Sequence, residues 1–209
     1  KYGEILALLG ENGSGKTTLM NMLSGIYHPD KGNIYIAGKP EAINSPMDSI
    51  ELGIGMIHQH FKLVEVFSAA DNIVAGTKGK LKSKGAVRDE IKKISEQLGL
   101  EVDPDKKVYN MSVSEKQTVE ILKVLYRGAK ILILDEPTEG IQPSIIQDIG
   151  AAIQKINEWK GITVLLVEQY LDFVLENTNK LYVMEKGEIV YANETKLADK
   201  DEVQRLMTE

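Results

Sequence analysis

Gly10-Glu11-Asn12-Gly13-Ser14-Gly15-Lys16-Thr17 has the Gly-x-x-x-x-Gly-Lys-Thr spacing of a Walker A phosphate loop. The chemistry asks for these residue types. Glycines let backbone N–H groups curl around phosphate oxygens, and a helix that starts at the loop points its positive end at the same anion. In that arrangement Lys16 reaches the β- and γ-phosphates of a nucleotide such as ATP, and the Thr17 hydroxyl holds Mg2+. Asp135 closes an aliphatic run at residues 131–134. A buried strand there delivers its carboxylate to the metal, and Glu136, next in the chain, would orient or deprotonate an attacking water.

These residues need elements to hold them. Residues 4–9 read as a buried strand ended by Gly10, and residues 17–24 as a short helix. A short strand is expected at 34–36. Ser45-Pro46-Met47-Asp48 is a helix start, with Ser as cap and Pro at the first helical position, and the strand after it covers 54–58. Ser68-Ala69-Ala70-Asp71 is a second capped start. Residues 76–90 are Gly- and Lys-rich and read as a loop running into a helix that ends at Leu98-Gly99. A helix over 113–127 gathers Ile121, Leu122 and Leu125 on one face, and Ile145, Ile146, Ile149, Ile153 and Ile156 keep helical spacing up to Trp159. A buried strand at 163–167, a hairpin about Lys186-Gly187 and a terminal helix near 198–207 complete the reading. Strands alternating with helices give an α/β class with a largely parallel sheet.

Composition bounds the partners. The chain has 209 residues and a net charge of −6, against broad electrostatic binding to nucleic acid. Lys78, Lys80, Lys82, Lys84 and Arg88 lack interleaved aromatics and read as a solvated loop. There is no cysteine, which removes disulfides, Cys-ligated zinc and Cys nucleophiles and fits a reducing compartment. No apolar run approaches the ~20 residues of a spanning helix. His28, His58 and His60 read as ordinary loop or surface residues and make no metal set.

At this point the chain resembles the nucleotide-binding domain of ABC transporters over essentially its whole length. Gly10, Asn12, Gly13, Ser14, Gly15, Lys16, Thr17 and Thr18 match the family's Walker A wording as well as its spacing. The resemblance implies a P-loop NTPase core at 1–60 and 127–209, with a helical subdomain inserted at 61–126. It implies that Gln59 contacts Mg2+ and senses the γ-phosphate. Met111-Ser112-Val113-Ser114-Glu115-Lys116-Gln117 occupies the signature position, so Ser112 and Ser114 would face the γ-phosphate bound by a second subunit. The family usually has two glycines at Val113 and Ser114 and an Arg at Thr118. Ser114 adds a side chain where backbone would approach phosphate, which counts against strong dimer closure. Thr138-Glu139-Gly140 sits at the D-loop, and Gln169 stands where most members carry a switch histidine.

The resemblance implies an ATP-hydrolysing subunit of an importer. Two copies, or this chain and a related ATPase subunit, would sandwich two ATPs head to tail. Glu136 would act as base, with Gln169 and Gln59 beside it, and Thr17, Gln59 and Asp135 as Mg2+ contacts. Such a subunit works in the cytoplasm, held peripherally on the inner face of the membrane by permease subunits, with no nucleic-acid partner. Two features support a second expectation. Residues up to about 137 resemble nucleoside and simple-sugar importer ATPases, while those from about 139 resemble urea and branched-chain amino acid types. The charge balance also turns acidic past residue 130. A chimeric scaffold with little ATPase or transport activity is the alternative. Finally, the chain opens at Lys1 without the early strands and adenine-stacking aromatic of the family, so weakened ATP affinity and poor base discrimination are expected.

Overall fold

The computed structural model describes residues 3–58, 61–77 and 83–207. They divide into two compact units, Lys1–Gln59 with Lys130–Glu209, and His60–Ala129.

The larger unit is built on a six-stranded sheet, formed by β1 (Ile5–Leu9), β4 (Ile54–Ile57), β5 (Ile131–Asp135), β6 (Thr163–Glu168), β7 (Lys180–Glu185) and β8 (Glu188–Glu194). Their spatial order is β4-β5-β6-β1-β7-β8. All neighbours pair in parallel except β7 and β8, which form the expected antiparallel hairpin. Its turn residues Lys186 and Gly187 both have positive φ, 47° and 85°, as a tight turn matched to strand twist requires.

The inner strands are aliphatic runs because helices cover both faces of a parallel sheet. Ile5, Leu9, Leu132, Ile133, Val164 and Leu166 are fully buried. The covering helices in this unit are α1 (Lys16–Leu23), α2 (Pro46–Glu51), α6 (Pro143–Lys160), α7 (Leu171–Asn177) and α8 (Lys200–Leu206). Ile149, Ile153 and Ile156 bury one stripe of α6. Ser45 caps α2, its side chain accepting from the Asp48 N–H. Strand β2 (Ile34–Ile36) pairs antiparallel with β3 (Lys39–Glu41) in a separate two-stranded sheet, a partner that composition did not announce.

The smaller unit holds α3 (Ala69–Val74), α4 (Lys84–Leu98) and α5 (Val113–Tyr126). Ser68 and Asp71 form a capping box at α3, and Ser112 and Glu115 form another at α5. The expected loop over 76–90 is corrected here, since α4 begins at Lys84. Ser83 caps it, and Val87, Ile91 and Leu98 bury an apolar stripe that outweighs the Gly and Lys content. Lys78, Lys80 and Lys82 lie outside the described residues. Arg88 is bound by Asp105 through two nitrogens, at 3.0 and 2.5 Å.

Among the described residues no helix is long and apolar enough to cross a membrane.

Candidate functional site

Parallel strands leave all their carboxyl ends on one edge, and loops gather there. The register sets which ones. Leu9 pairs with Glu168, Asp135 with Val167, and Ile57 with Leu134. The loops after β1, β4, β5 and β6 therefore open side by side.

The loop after β1 holds Gly10 to Thr17. Gly13 and Gly15 have φ of 87° and 106°, which glycine adopts without cost. A Cβ at Gly10 would lie 2.4 Å from the Met184 carbonyl and 2.7 Å from Ser14 Oγ. At Gly13 it would meet nothing within 4 Å, so that side of the loop is open. The loop is braced by Ser14 N–H to Glu11 O at 3.1 Å and Gly187 N–H to Ser14 O at 2.8 Å. Helix α1 starts directly from it, and no side chain caps its N-terminus. Its first N–H groups thus point outward with the positive end of the helix dipole. Thr17 and Thr18 are exposed on that first turn, as is Asn12 on the loop.

Lys16 is only 4% exposed. Its ammonium donates to Gly10 O at 2.6 Å and Glu11 O at 2.9 Å, and stands 4.0 Å from Glu136 Oε1. Burial pulls the ammonium below its ordinary pKa, against the attraction of Glu136, Asp135 and Glu168. Burial, then the adjacent Glu136 charge, pushes the Asp135 carboxyl up, while His58 and Lys16 pull it down.

Glu136 takes a left-handed backbone, φ 49°, which is uncommon for a non-glycine residue. Its N–H donates to Val167 O at 2.9 Å. Gln169 Nε2 donates both to Glu136 Oε1 at 2.7 Å and to Asn12 Oδ1 at 3.0 Å. Three loops, far apart in sequence, thus bring Asn12, Lys16, Glu136 and Gln169 into one constellation, with Asp135 at the end of β5 beside it. Gln59 lies outside the described residues. Ser112 and Ser114 belong to the other compact unit, at the start of α5, where Ser112 is the cap residue.

Two residues matter more than the sequence indicated. Sequence alone reads His58 as an ordinary loop or surface residue. It is half-buried, directly follows β4, and bears electrostatically on Asp135; the β4–β5 register brings the two chain positions together. Glu168 closes β6 at 2% exposure and binds both Thr138 and the backbone after β6. No local sequence signal marks it.

The donor set fits a metal-bound nucleoside triphosphate. Among the described residues the buried Ser14 Oγ has no hydrogen-bond partner, and it lies next to a loop of glycines and an uncapped helix end. Among the described residues no group of three or more His, Cys, Asp or Glu could hold a metal ion alone. Mg2+ commonly uses one or two protein oxygens together with phosphate oxygens, and Thr17 and Asp135 offer that partial set.

The ABC transporter family matches residues 1–139, and the chain belongs to that family as an ATP-binding domain. It is 42% identical to a nucleoside import ATP-binding protein of Lactococcus lactis, over 91% of this chain and 38% of that protein. It is 41% identical to a guanosine import ATP-binding protein of Bacillus subtilis, over 99% of this chain and 41% of that protein. The chain thus spans about two-fifths of the length of these curated relatives. Among solved structures it is similar to cbiO1 of Clostridium perfringens, part of an ABC transporter complex, with a TM-score of 0.84 and 28% identity over 99% of this chain and 84% of that one. An ATP-binding cassette of an ABC transporter in its ADP conformation gives a TM-score of 0.83 at 27% identity, over 100% of this chain and 85% of that one. The guanosine-import relative aligns across the junction near residues 135–139, so the comparisons lend the chimeric alternative no support.

Proposed function

We propose that this chain is the ATP-hydrolysing unit of an ABC importer, and that its solute, on the names of the two bacterial relatives, is a nucleoside. The observation that carries the catalytic part is the Gln169 amide bridging Asn12 and Glu136, with the Lys16 ammonium 4.0 Å from the same carboxylate oxygen.

Lys16, held here by two loop carbonyls, exchanges them for β- and γ-phosphate oxygens, helped by the backbone from Gly10 to Gly15 and the first turn of α1 at Thr17 and Thr18. Thr17, Asp135 and Gln59 are the side chains to hold Mg2+, which supplies charge compensation at the phosphates. Glu136 orients the attacking water and takes its proton in an in-line displacement. Gln169 donates hydrogen bonds but cannot accept a proton as a histidine could, so its part is to fix Glu136 and to face the γ-phosphate.

The functional segments we assign are a P-loop core at 1–60 and 127–209 and a helical subdomain at 61–126. A second subunit, identical or homologous, supplies Ser112 and Ser114 to complete each site. Permease subunits hold the pair on the inner face of the membrane.

Steady-state phosphate release with Mg2+-ATP, measured against protein concentration, tests this. Turnover per chain should rise with concentration as dimers form. Release that stays at the no-enzyme background at every concentration would remove the enzyme reading.

A further inference from the structure

Glu168 is an ionisable side chain that the reaction scheme above does not use, and it is almost completely withdrawn from water. Both of its oxygens are engaged. Oε1 accepts from the Thr138 N–H at 3.0 Å and the Thr138 hydroxyl at 2.7 Å. Oε2 accepts from the Gln169 N–H at 3.0 Å and the Tyr170 N–H at 3.3 Å. Four donors converge on one carboxylate, an acceptor with room for them. Capping the start of α7 would require only the Oε2 pair. The Oε1 pair goes instead to the loop after β5, two residues beyond Glu136.

The geometry points to Glu168 as a positioning residue, a clamp that locks the loop after β5 to the loop after β6 and so sets Glu136 against Gln169. This rests on the roles given to Glu136 and Gln169 above. Glu136 sits between two anchors to β6, its own N–H on Val167 O and Thr138 on Glu168. Its left-handed backbone persists because both sides are held. Gln169 is fixed from its own N–H, which aims its amide at Glu136 Oε1 and Asn12 Oδ1. Burial pushes the Glu168 carboxyl up while its hydrogen bonds draw it down. Those four donors match the ionised form, whose charge also attracts Lys16.

Glu168→Gln tests the clamp, because one oxygen becomes an N–H2 group that cannot accept from its pair of donors. Thr138→Val removes one bond only, and Thr138→Ser keeps it. In Glu168→Gln, kcat should fall ~10–100-fold, the scale expected for sub-ångström to ångström misplacement of reacting groups. The Kd for a fluorescent ATP analogue should stay within about twofold, since binding groups are untouched. Thr138→Val should lower kcat and Thr138→Ser should restore it. Adding Gln169→Ala to Glu168→Gln should cost less than Gln169→Ala costs alone, because the two share the contact to Glu136. The 15N resonance of the Gln169 side-chain amide reports independently of turnover, and in Glu168→Gln and Thr138→Val it should move toward that of an exposed amide.

Unchanged kcat with an unmoved Gln169 resonance would overturn the clamp. So would fully additive losses with no rescue by Thr138→Ser, which would mark a purely structural role. If the unaltered protein releases no phosphate, the enzyme reading fails on its own, and the Gln169 resonance alone then decides the clamp.

Discussion

Replacing Ser112 by Ala and by Asp separates what this side chain does for its helix from what it does for nucleotide. Ser112 Oγ accepts from the Glu115 N–H at 3.2 Å, and Glu115 Oε2 accepts from the Ser112 N–H at 2.8 Å. Lys106 holds the other Glu115 oxygen at 2.6 Å, and that contact, with the cap, draws the Glu115 carboxyl below its usual range. Ser112→Ala removes one arm of the box and should cost about 1 kcal/mol. With a urea slope of about 2 kcal/mol per M, the midpoint should fall by about 0.5 M. Ser112→Asp keeps a cap of equal rank, and its charge at the helix N-terminus contributes about 0.3–1 kcal/mol, opposed by the nearby Glu115 carboxylate. Its stability should therefore stay close to that of the unaltered protein. Its effect on nucleotide is the reverse. If Ser112 faces the partner-bound γ-phosphate as proposed, an added carboxylate at a contact distance of about 4 Å and an effective dielectric constant of about 20 would be repelled by about 4 kcal/mol. ATP-dependent dimerisation should then weaken by ~10³-fold. Urea unfolding and sedimentation velocity with and without ATP check the two halves. A stable Ser112→Asp protein that still dimerises like the unaltered one would refute the placement of Ser112 at the phosphate.

Gly10→Ala puts a Cβ 2.4 Å from the Met184 carbonyl, and β7 pairs directly with β1 in this region. Overpacking of about 1–3 kcal/mol is expected, together with weakened ATP binding; a normal urea midpoint would show that the loop does not pack on β7 as described. Glu168 is held protonated to higher pH when folded than when unfolded. The folded state therefore binds more protons through the window that begins near the ordinary glutamate pKa of about 4.3, and stability from this residue falls as pH rises through it. Asp135 acts with the same sign, while Asp71 and Glu115, whose carboxyls are lowered, act with the opposite one. The difference between Glu168→Gln and the unaltered protein isolates the residue. Its urea midpoint should lose part of that decline as pH rises above the ordinary glutamate range, and identical pH profiles would contradict the assignment.

Much of the site was legible because the chemistry is local. A glycine-spaced loop followed by Lys16 and Thr17 leaves few alternatives, and an aliphatic run ending in Asp135 announces a buried strand. Capped helix starts were readable at Ser45 and Ser68, each of which accepts from the N–H three residues on. The start of α4 was hidden, because Gly and Lys composition suggested a loop while the deciding signal was the Val87, Ile91 and Leu98 stripe. Helix α7 escaped notice for the opposite reason. It is seven residues long, and its cap residue Tyr170 makes no side-chain cap. The roles of Glu168 and His58 depend on strand register, and so does the meeting of Asn12 with Gln169. Pairings across β1, β4, β5 and β6 decide them, and no run of neighbouring residues encodes that.

Glu136→Gln separates nucleotide binding from turnover at this site. In one preparation, Mg2+-ATP binding and steady-state phosphate release are measured for this variant and the unaltered protein. Binding should survive while turnover falls by ~10²–10⁴-fold, the usual contribution of a general base. Turnover equal to that of the unaltered protein would remove Glu136 from the reaction and, with it, the chemistry assigned to this site.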